Sequence, residues 1–102
     1  MTGHLFLLSQ SGAARTLTIR GAFDAETVFD IRARLEMEPL GADGSLTVDL
    51  SETSFMDSSG LGFLVSLRRR SETEGWSVRL SGANGQVRRL LQRVGWPETL
   101  AA

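Results

Sequence analysis

Apolar residues recur along this chain with two different periods, and the change of period marks the expected strands and helices. Alternation on either side of a Ser11-Gly12 turn signal predicts a hairpin of two strands, from Leu5 to Leu8 and from Arg15 to Arg20. The segments Leu46 to Leu50 and Trp76 to Leu80 are short, apolar and bounded by turn residues. They predict two further strands.

Three other segments show helical spacing. Asp24 suits the N-cap of the first helix, which we expect to end at Pro39 and Gly41, and the second begins near Asp57 and Ser58. The apolar stripe of the first helix is Val28, Ile31 and Leu35. The stripe of the second helix is Leu61, Leu64 and Val65, and Gly75 stops this helix. The third helix follows Gly82 and Asn84, has the stripe Val87, Leu90, Leu91 and Val94, and is closed by Gly95 and Pro97.

The order strand, strand, helix, strand, helix, strand, helix predicts an α/β domain, because right-handed crossovers place the later strands parallel to one another. We therefore expect a single domain over residues 1–102. Its sheet is mixed but mostly parallel, has about four to five strands, and carries helices packed on it. Loops at the carboxyl ends of parallel strands meet at one edge, and Asp57 and Ser58 lie in such a loop.

Composition narrows the chemistry. The chain has no cysteine and a single histidine, so disulfides, thiolate metal sites and histidine clusters are excluded. All eleven basic residues are arginine and twelve acidic residues offset them, a balance that does not favour nucleic acid as a partner. The missing lysine excludes P-loop, Schiff-base and kinase-type catalysis. We predict no enzymatic activity and no cofactor.

Location follows from the lack of long apolar runs. No segment approaches the ~20 apolar residues that cross a bilayer, and Met1 to His4 lack the basic flank of a secretory signal. We expect a cytoplasmic protein without membrane insertion.

Ser58 is the residue with the most chemical interest. A serine at a helix start faces unpaired N–H groups and the positive end of the helix dipole, so a phosphate there would be tolerated. Gly60 and Gly62 would leave the first helical turn bare, so that another protein could approach closely. Spacing alone favours a simpler role for Ser58 as an ordinary N-cap.

The segments Val48 to Ser51 and Phe55 to Gly62, which reads Phe-Met-Asp-Ser-Ser-Gly-Leu-Gly, resemble the signature of the anti-sigma factor antagonist branch of the STAS family. Gly21 to Asp24 is similar to that family's Gly-x-Leu-Asp element, with Phe23 in place of leucine. The resemblance extends from about Leu17 to Gly95.

The resemblance implies a partner switch. A GHKL-type serine kinase that is also the anti-sigma factor would phosphorylate the serine after the aspartate, here Ser58, with Ser59 as the neighbouring cap residue. The unmodified protein would bind that kinase and free a sigma factor. The phosphorylated protein would not bind until a serine phosphatase restored its unmodified form. The implied partner-binding residues are Gly21, Phe23, Asp24, Asp57, Ser58, Ser59, Gly60, Leu61 and Gly62.

A second interpretation stays open. The chain stops at Ala102, soon after Gly95, and this short end is similar to the STAS subunits of bacterial lipid-transport ABC complexes, which dock an ATPase without phosphorylation. The serines of the Asp57-Ser58-Ser59 segment favour the switch.

Other candidate sites have simpler explanations. A triad of Ser58, Asp57 and His4 lacks a well-placed base, because His4 lies at the chain start. Asp49, Glu52 and Asp57 are expected to be solvated acids, and no metal is predicted there. The remaining residues expected on the surface are Arg68, Arg69, Arg70, Arg88, Arg89 and Arg93, and those expected in the core are Trp76 and Trp96. Phe63 is either a core residue, which we favour, or an aromatic interface anchor.

Overall fold

A computed structural model of the chain describes residues 5–37 and 44–96. Within these residues the chain forms five strands and three helices. In chain order they are β1 (Leu5–Ser11), β2 (Ala14–Phe23), α1 (Ala25–Met37), β3 (Ser45–Asp49), β4 (Thr53–Met56), α2 (Ser58–Glu74), β5 (Ser77–Ser81) and α3 (Gly85–Arg93). His4, Pro39, Gly41 and Pro97, used above, lie outside the described residues.

The sheet has the predicted mixed, mostly parallel character. Strands β1 and β2 form the antiparallel hairpin, while β3 pairs parallel to β2 and β5 pairs parallel to β3, in the order β1-β2-β3-β5. One row across the three parallel strands joins Leu17, Val48 and Leu80, each at most 1% exposed. The helices cover this apolar face, so the predicted α/β architecture is confirmed.

Strand β4 is the element that the sequence pattern missed. It spans four residues and pairs parallel to the end of β2, after a register shift between Gly21 and Ala22. Gly21 has φ +78°, and its N–H donates to Glu52 O at 3.0 Å. The first half of β2 thus pairs with β3 and its last residues pair with β4. Period-two alternation is absent from β4, because Thr53 and Met56 are buried and the two residues between them are exposed.

Two helical stripes differ from expectation. The inward side of α2 is formed by Phe63, Leu64 and Leu67, whereas Leu61 and Val65 are only partly buried. Phe63 is therefore a core residue, as predicted, and belongs to the inward side of the helix. In α3 the stripe ends earlier than predicted, because the helix stops at Arg93 and Val94 is 49% exposed in the C-cap.

The ends of α2 and α3 otherwise agree with the sequence. Gly75 closes α2 in the left-handed conformation, with its N–H donating to Ser71 O at 2.9 Å.

Both tryptophans pack in the core as predicted, since Trp76 and Trp96 are 5% and 6% exposed. The arginines predicted on the surface are exposed there, and two of them, Arg68 and Arg70, pair with Glu72 and Glu74, while Arg68 also lies 5.3 Å from the centroid of the Trp96 ring.

No helix in residues 5–37 and 44–96 is long and apolar enough to cross a membrane.

Candidate functional site

The two segments singled out by the sequence lie side by side because β2 and β4 are parallel neighbours that end together. Phe23, the last residue of β2, pairs with Met56, the last residue of β4. Beyond them the Asp57 N–H donates to Phe23 O at 3.4 Å. The chain then turns directly into a helix from each strand, α1 after Asp24 and α2 after Asp57. Gly21–Asp24 and Asp57–Gly62 therefore form one surface region.

Side chains hold the short strand β4 in place. The Thr53 hydroxyl donates to Ile19 O at 2.8 Å. The Gln86 amide, at the start of α3, accepts from Met56 N at 3.0 Å and donates to Met56 O at 2.8 Å. Gln86 thus takes the place that a neighbouring strand would occupy beside Met56. Sequence reasoning missed it, because nothing local links a glutamine in α3 to a strand thirty positions earlier.

Asp57 is the N-cap of α2. Its backbone is extended, with φ −108° and ψ −170°, and its Oδ1 accepts from Ser59 N at 2.9 Å and Gly60 N at 3.2 Å. The expectations that Ser58 is an ordinary cap and that Ser59 is a cap residue are therefore wrong. Ser58 is the first residue of the helix, it is exposed, and its hydroxyl makes no hydrogen bond within the part of the chain that the structure describes.

The two glycines that follow have different surroundings. A Cβ added at Gly60 would lie 2.5 Å from Phe23 O and 2.8 Å from the Met56 Cγ, so no side chain fits there. A Cβ at Gly62 would meet nothing within 4 Å. Of the two glycines predicted to leave the first helical turn bare, only Gly62 is exposed. Gly60 is buried, and its missing side chain allows α2 to pack closely on the end of β2.

Phe23 needs the same correction as Gly60. Its side chain is 0% exposed and packs edge-on against the Phe63 ring, with the centroids 6.1 Å apart at 78°. It supports the surface from below and offers no side-chain contact to a partner. Of the other predicted contact residues, two are exposed, Ser58 and Gly62, and five are half-buried, namely Gly21, Asp24, Asp57, Ser59 and Leu61.

An open groove of about 510 Å³ runs between α1 and α2 beside Ser58. Phe29, on its α1 side, is 74% exposed, and the Arg32 guanidinium lies 5.2 Å from the centroid of the Phe63 ring. The lining residues are Ala25, Val28, Phe29, Arg32, Ser58, Ser59, Gly62 and Phe63. Sequence reasoning missed Phe29 and Arg32. Phe29 could have been noticed as an aromatic residue that lies off the apolar stripe of its helix.

The three acids at which no metal is predicted are engaged separately. Asp49 accepts from Ser51 N at 3.0 Å, Glu52 pairs with Arg20 at 3.0 Å, and Asp57 caps α2. Among the residues described, no three His, Cys, Asp or Glu side chains are grouped as a metal site would require. What this end of the sheet offers is a free hydroxyl, an apolar groove and a flanking cation.

Comparison with known proteins identifies the class to which this fold and surface belong. A family model described as Mlab, STAS domain, matches residues 6–101. A STAS-domain containing protein of Pseudomonas aeruginosa (strain UCBPP-PA14) is 32% identical over 85 residues, which cover 83% of each chain. The chain belongs to the STAS-domain family, so the resemblance of its sequence to that family is confirmed at the level of the family.

Solved structures share the whole architecture. The anti-sigma factor antagonist SpoIIAA in its unphosphorylated form superimposes with a TM-score of 0.81 and 23% identity, covering 96% of this chain and 88% of that one. The phosphorylated form of SpoIIAA from Bacillus gives a TM-score of 0.78 at the same 23% identity, covering 96% and 91%. At this level of identity the likeness establishes the fold.

Proposed function

We propose that this protein is a cytoplasmic partner switch of the anti-sigma factor antagonist type. The unmodified form binds an anti-sigma factor that is also a GHKL-type serine kinase, and the bound kinase releases a sigma factor. The kinase transfers the γ-phosphoryl group of ATP to the Ser58 Oγ, and ADP and the hydroxyl proton are released. The phosphorylated form does not bind, until a serine phosphatase restores the hydroxyl.

The observation that carries this proposal is the position of Ser58. A kinase needs an accessible hydroxyl, and a hydroxyl that caps a helix is costly to divert. Asp57 makes the capping bonds of α2, so the exposed Ser58 hydroxyl is available without loss of the helix. The protein then acts as ligand and phosphate acceptor, while its partners supply catalysis, and it needs no cofactor or metal of its own.

Electrostatics explains why a phosphate would oppose binding. It adds about −1.5 to −2 charge next to the Asp57 carboxylate. Inside an interface that charge would have to be paired or be desolvated alone, which costs several kcal/mol. Since ~1.4 kcal/mol is a tenfold change in affinity, a loss of about 100-fold or more is expected.

The comparisons support two parts of this proposal. The fold is shared with an anti-sigma factor antagonist, and it is shared with both the unphosphorylated and the phosphorylated forms of that protein. The second point supports a switch in which the phosphate alters the surface and leaves the fold intact.

A second candidate function uses the same surface in a different way. The matching family model is described as Mlab, STAS domain, and this favours a permanent STAS subunit of a bacterial lipid-transport ABC complex that docks its ATPase. In that case Ser58 would be part of a constant interface. Neighbouring genes distinguish the two cheaply, because a small GHKL-type ATPase supports the switch and a transporter operon supports the subunit.

The decisive experiment is titration calorimetry against the GHKL-type kinase proposed as partner. Unmodified protein, phosphoprotein, Ser58→Ala and Ser58→Asp are compared after circular dichroism has confirmed that each is folded, and fragment mass analysis has located the phosphate. We expect Ser58→Ala to bind like the unmodified protein, phosphoprotein to lose about 100-fold or more, and Ser58→Asp to lie between them, since aspartate has less charge than phosphate. Equal affinities in all four, or phosphate confined to Ser59, would reject the switch.

A further inference from the structure

Arg32 is the single charged residue among those lining the groove beside Ser58. Its guanidinium lies over the Phe63 ring, and it makes no ion pair with any carboxylate in the described part of the chain. A cation–π contact at an exposed site contributes only about 0.5 to 1 kcal/mol. A phosphate that accepts two guanidinium N–H bonds is a stronger partner, because such charge-assisted bonds are about twice as strong as neutral ones. A phosphate within reach would therefore compete successfully with the Phe63 ring for the Arg32 guanidinium.

Most N–H groups at the start of α2 are not free to bind that anion. The Ser59 and Gly60 N–H groups already donate to Asp57 Oδ1, and the Leu61 N–H donates to Asp57 O. A phosphate on Ser58 would have to displace the capping carboxylate to reach the first two. The Asp57 charge also repels a phosphate and cancels part of the helix dipole that would attract it. A side chain is therefore the better source of positive charge for the phosphate, and Arg32 shares the groove with Ser58.

We propose that Arg32 is the receptor for the phosphate of phosphorylated Ser58. On modification the Arg32 side chain leaves the Phe63 ring and pairs with the phosphate, which then lies across the groove between α1 and α2. This inference rests on the proposed function in taking Ser58 as the modified residue. It adds that the phosphate is held within its own chain, so that the groove beside Phe29 is open in one form and occupied in the other, with no change of backbone.

The test uses protein in which phosphoserine is incorporated at position 58 during translation, so that no kinase or binding partner is needed. A ³¹P NMR titration follows the second ionisation of the phosphate, whose ordinary pKa is about 6. A paired cation favours the doubly charged form, so we expect an ionisation constant at least roughly threefold larger in the wild type than in Arg32→Gln. Arg32→Lys should recover part of the difference, because it restores the charge without the planar fork.

Arg69→Gln is the matched control. It removes one exposed arginine of α2 about three turns beyond Ser58 and should titrate like the wild type. The Arg32 Nε–Hε NMR signal should also shift when Ser58 carries the phosphate, as the guanidinium leaves the ring current of Phe63. Identical titrations in wild type and Arg32→Gln, with an unmoved Arg32 signal, would overturn the proposal. That outcome would not contradict the partner switch, because the titration involves no partner. A failure of partner switching in the calorimetry would likewise not change the result of the titration.

Discussion

Helices α1 and α2 begin in the same way, directly after neighbouring strand ends and with an aspartate as N-cap. They differ three residues after the cap. At α1 this residue is Thr27, whose N–H donates to Asp24 Oδ1 at 3.2 Å and whose single hydroxyl proton is shared between Ala22 O at 2.9 Å and Asp24 Oδ1 at 3.2 Å. At α2 the equivalent residue is Gly60, where an added Cβ would lie 2.5 Å from Phe23 O.

The difference separates two ways of fixing a helix on a strand. At α1 a buried hydroxyl ties the first turn to a carbonyl of β2. At α2 close approach of the backbone replaces the side-chain bond, and the hydroxyl of Ser58 stays outside. The serine of the proposed switch is available because shape, and not a serine bond, positions its helix.

The largest effect is expected where the close approach is removed. Gly60→Ala places a methyl group against a backbone carbonyl that cannot move aside, so α2 must shift, and we expect the free energy of unfolding to fall by about 3 kcal/mol. Urea denaturation measures this. Gly62→Ala is the matched control, because its methyl group would enter open space and should raise stability by up to about 1 kcal/mol through helix propensity. Similar losses in both variants would show that packing on β2 is not the cause.

A smaller effect is expected at α1. Thr27→Val keeps the shape of the side chain but removes the hydroxyl that Ala22 O and Asp24 Oδ1 share, at a site that is 0% exposed. We expect a loss of roughly 1.5 kcal/mol by the same denaturation measurement. Ser58→Ala removes the unbonded hydroxyl at the start of α2 and should change the free energy of unfolding by less than about 0.5 kcal/mol. If Ser58→Ala cost as much as Thr27→Val, the contrast between the two helix starts would be lost.

A loss smaller than that of Thr27→Val is expected at the α2 cap. Asp57→Ala leaves the Ser59 and Gly60 N–H groups without their acceptor and should cost about 1 kcal/mol, while Asp57→Asn keeps a capping oxygen and should cost little. Amide hydrogen exchange adds a local readout, because Ser59 and Gly60 should exchange faster in Asp57→Ala alone. Unchanged exchange at these two amides would contradict the assignment of the cap.

The sequence predicted most of the fold because most elements are long enough to show a period. Strand β4 escaped because it is four residues long and its two middle positions, including Phe55 at 47%, are exposed. Its existence depends on a bend in β2 at Gly21, and on the Thr53 and Gln86 side chains, which are tertiary features. Sequence periodicity cannot reveal such contacts, because they join residues that are far apart in the chain.

The site was predicted in outline and missed in detail. The order of strands brought Gly21–Asp24 and Asp57–Gly62 to one end of the sheet, as observed. The cap was misplaced because Asp57 and Ser58 are adjacent and both are good capping residues, so a shift of one position decides the outcome. Arg32 and the groove could not be predicted, since they depend on how α1 is rotated relative to α2.

The two hydrogen bonds between the Gln86 amide and the Met56 backbone also affect how the protein behaves at high concentration. Within the described residues β4 hydrogen-bonds to no strand other than β2, so its other side is an edge, and unpaired edge groups recruit strands from other molecules. The Gln86 amide occupies both backbone groups of Met56 on a strand too short to offer many others. We therefore expect Gln86→Leu to keep its secondary structure yet associate at high concentration, as light scattering would detect, so that α3 also protects the molecule from aggregation.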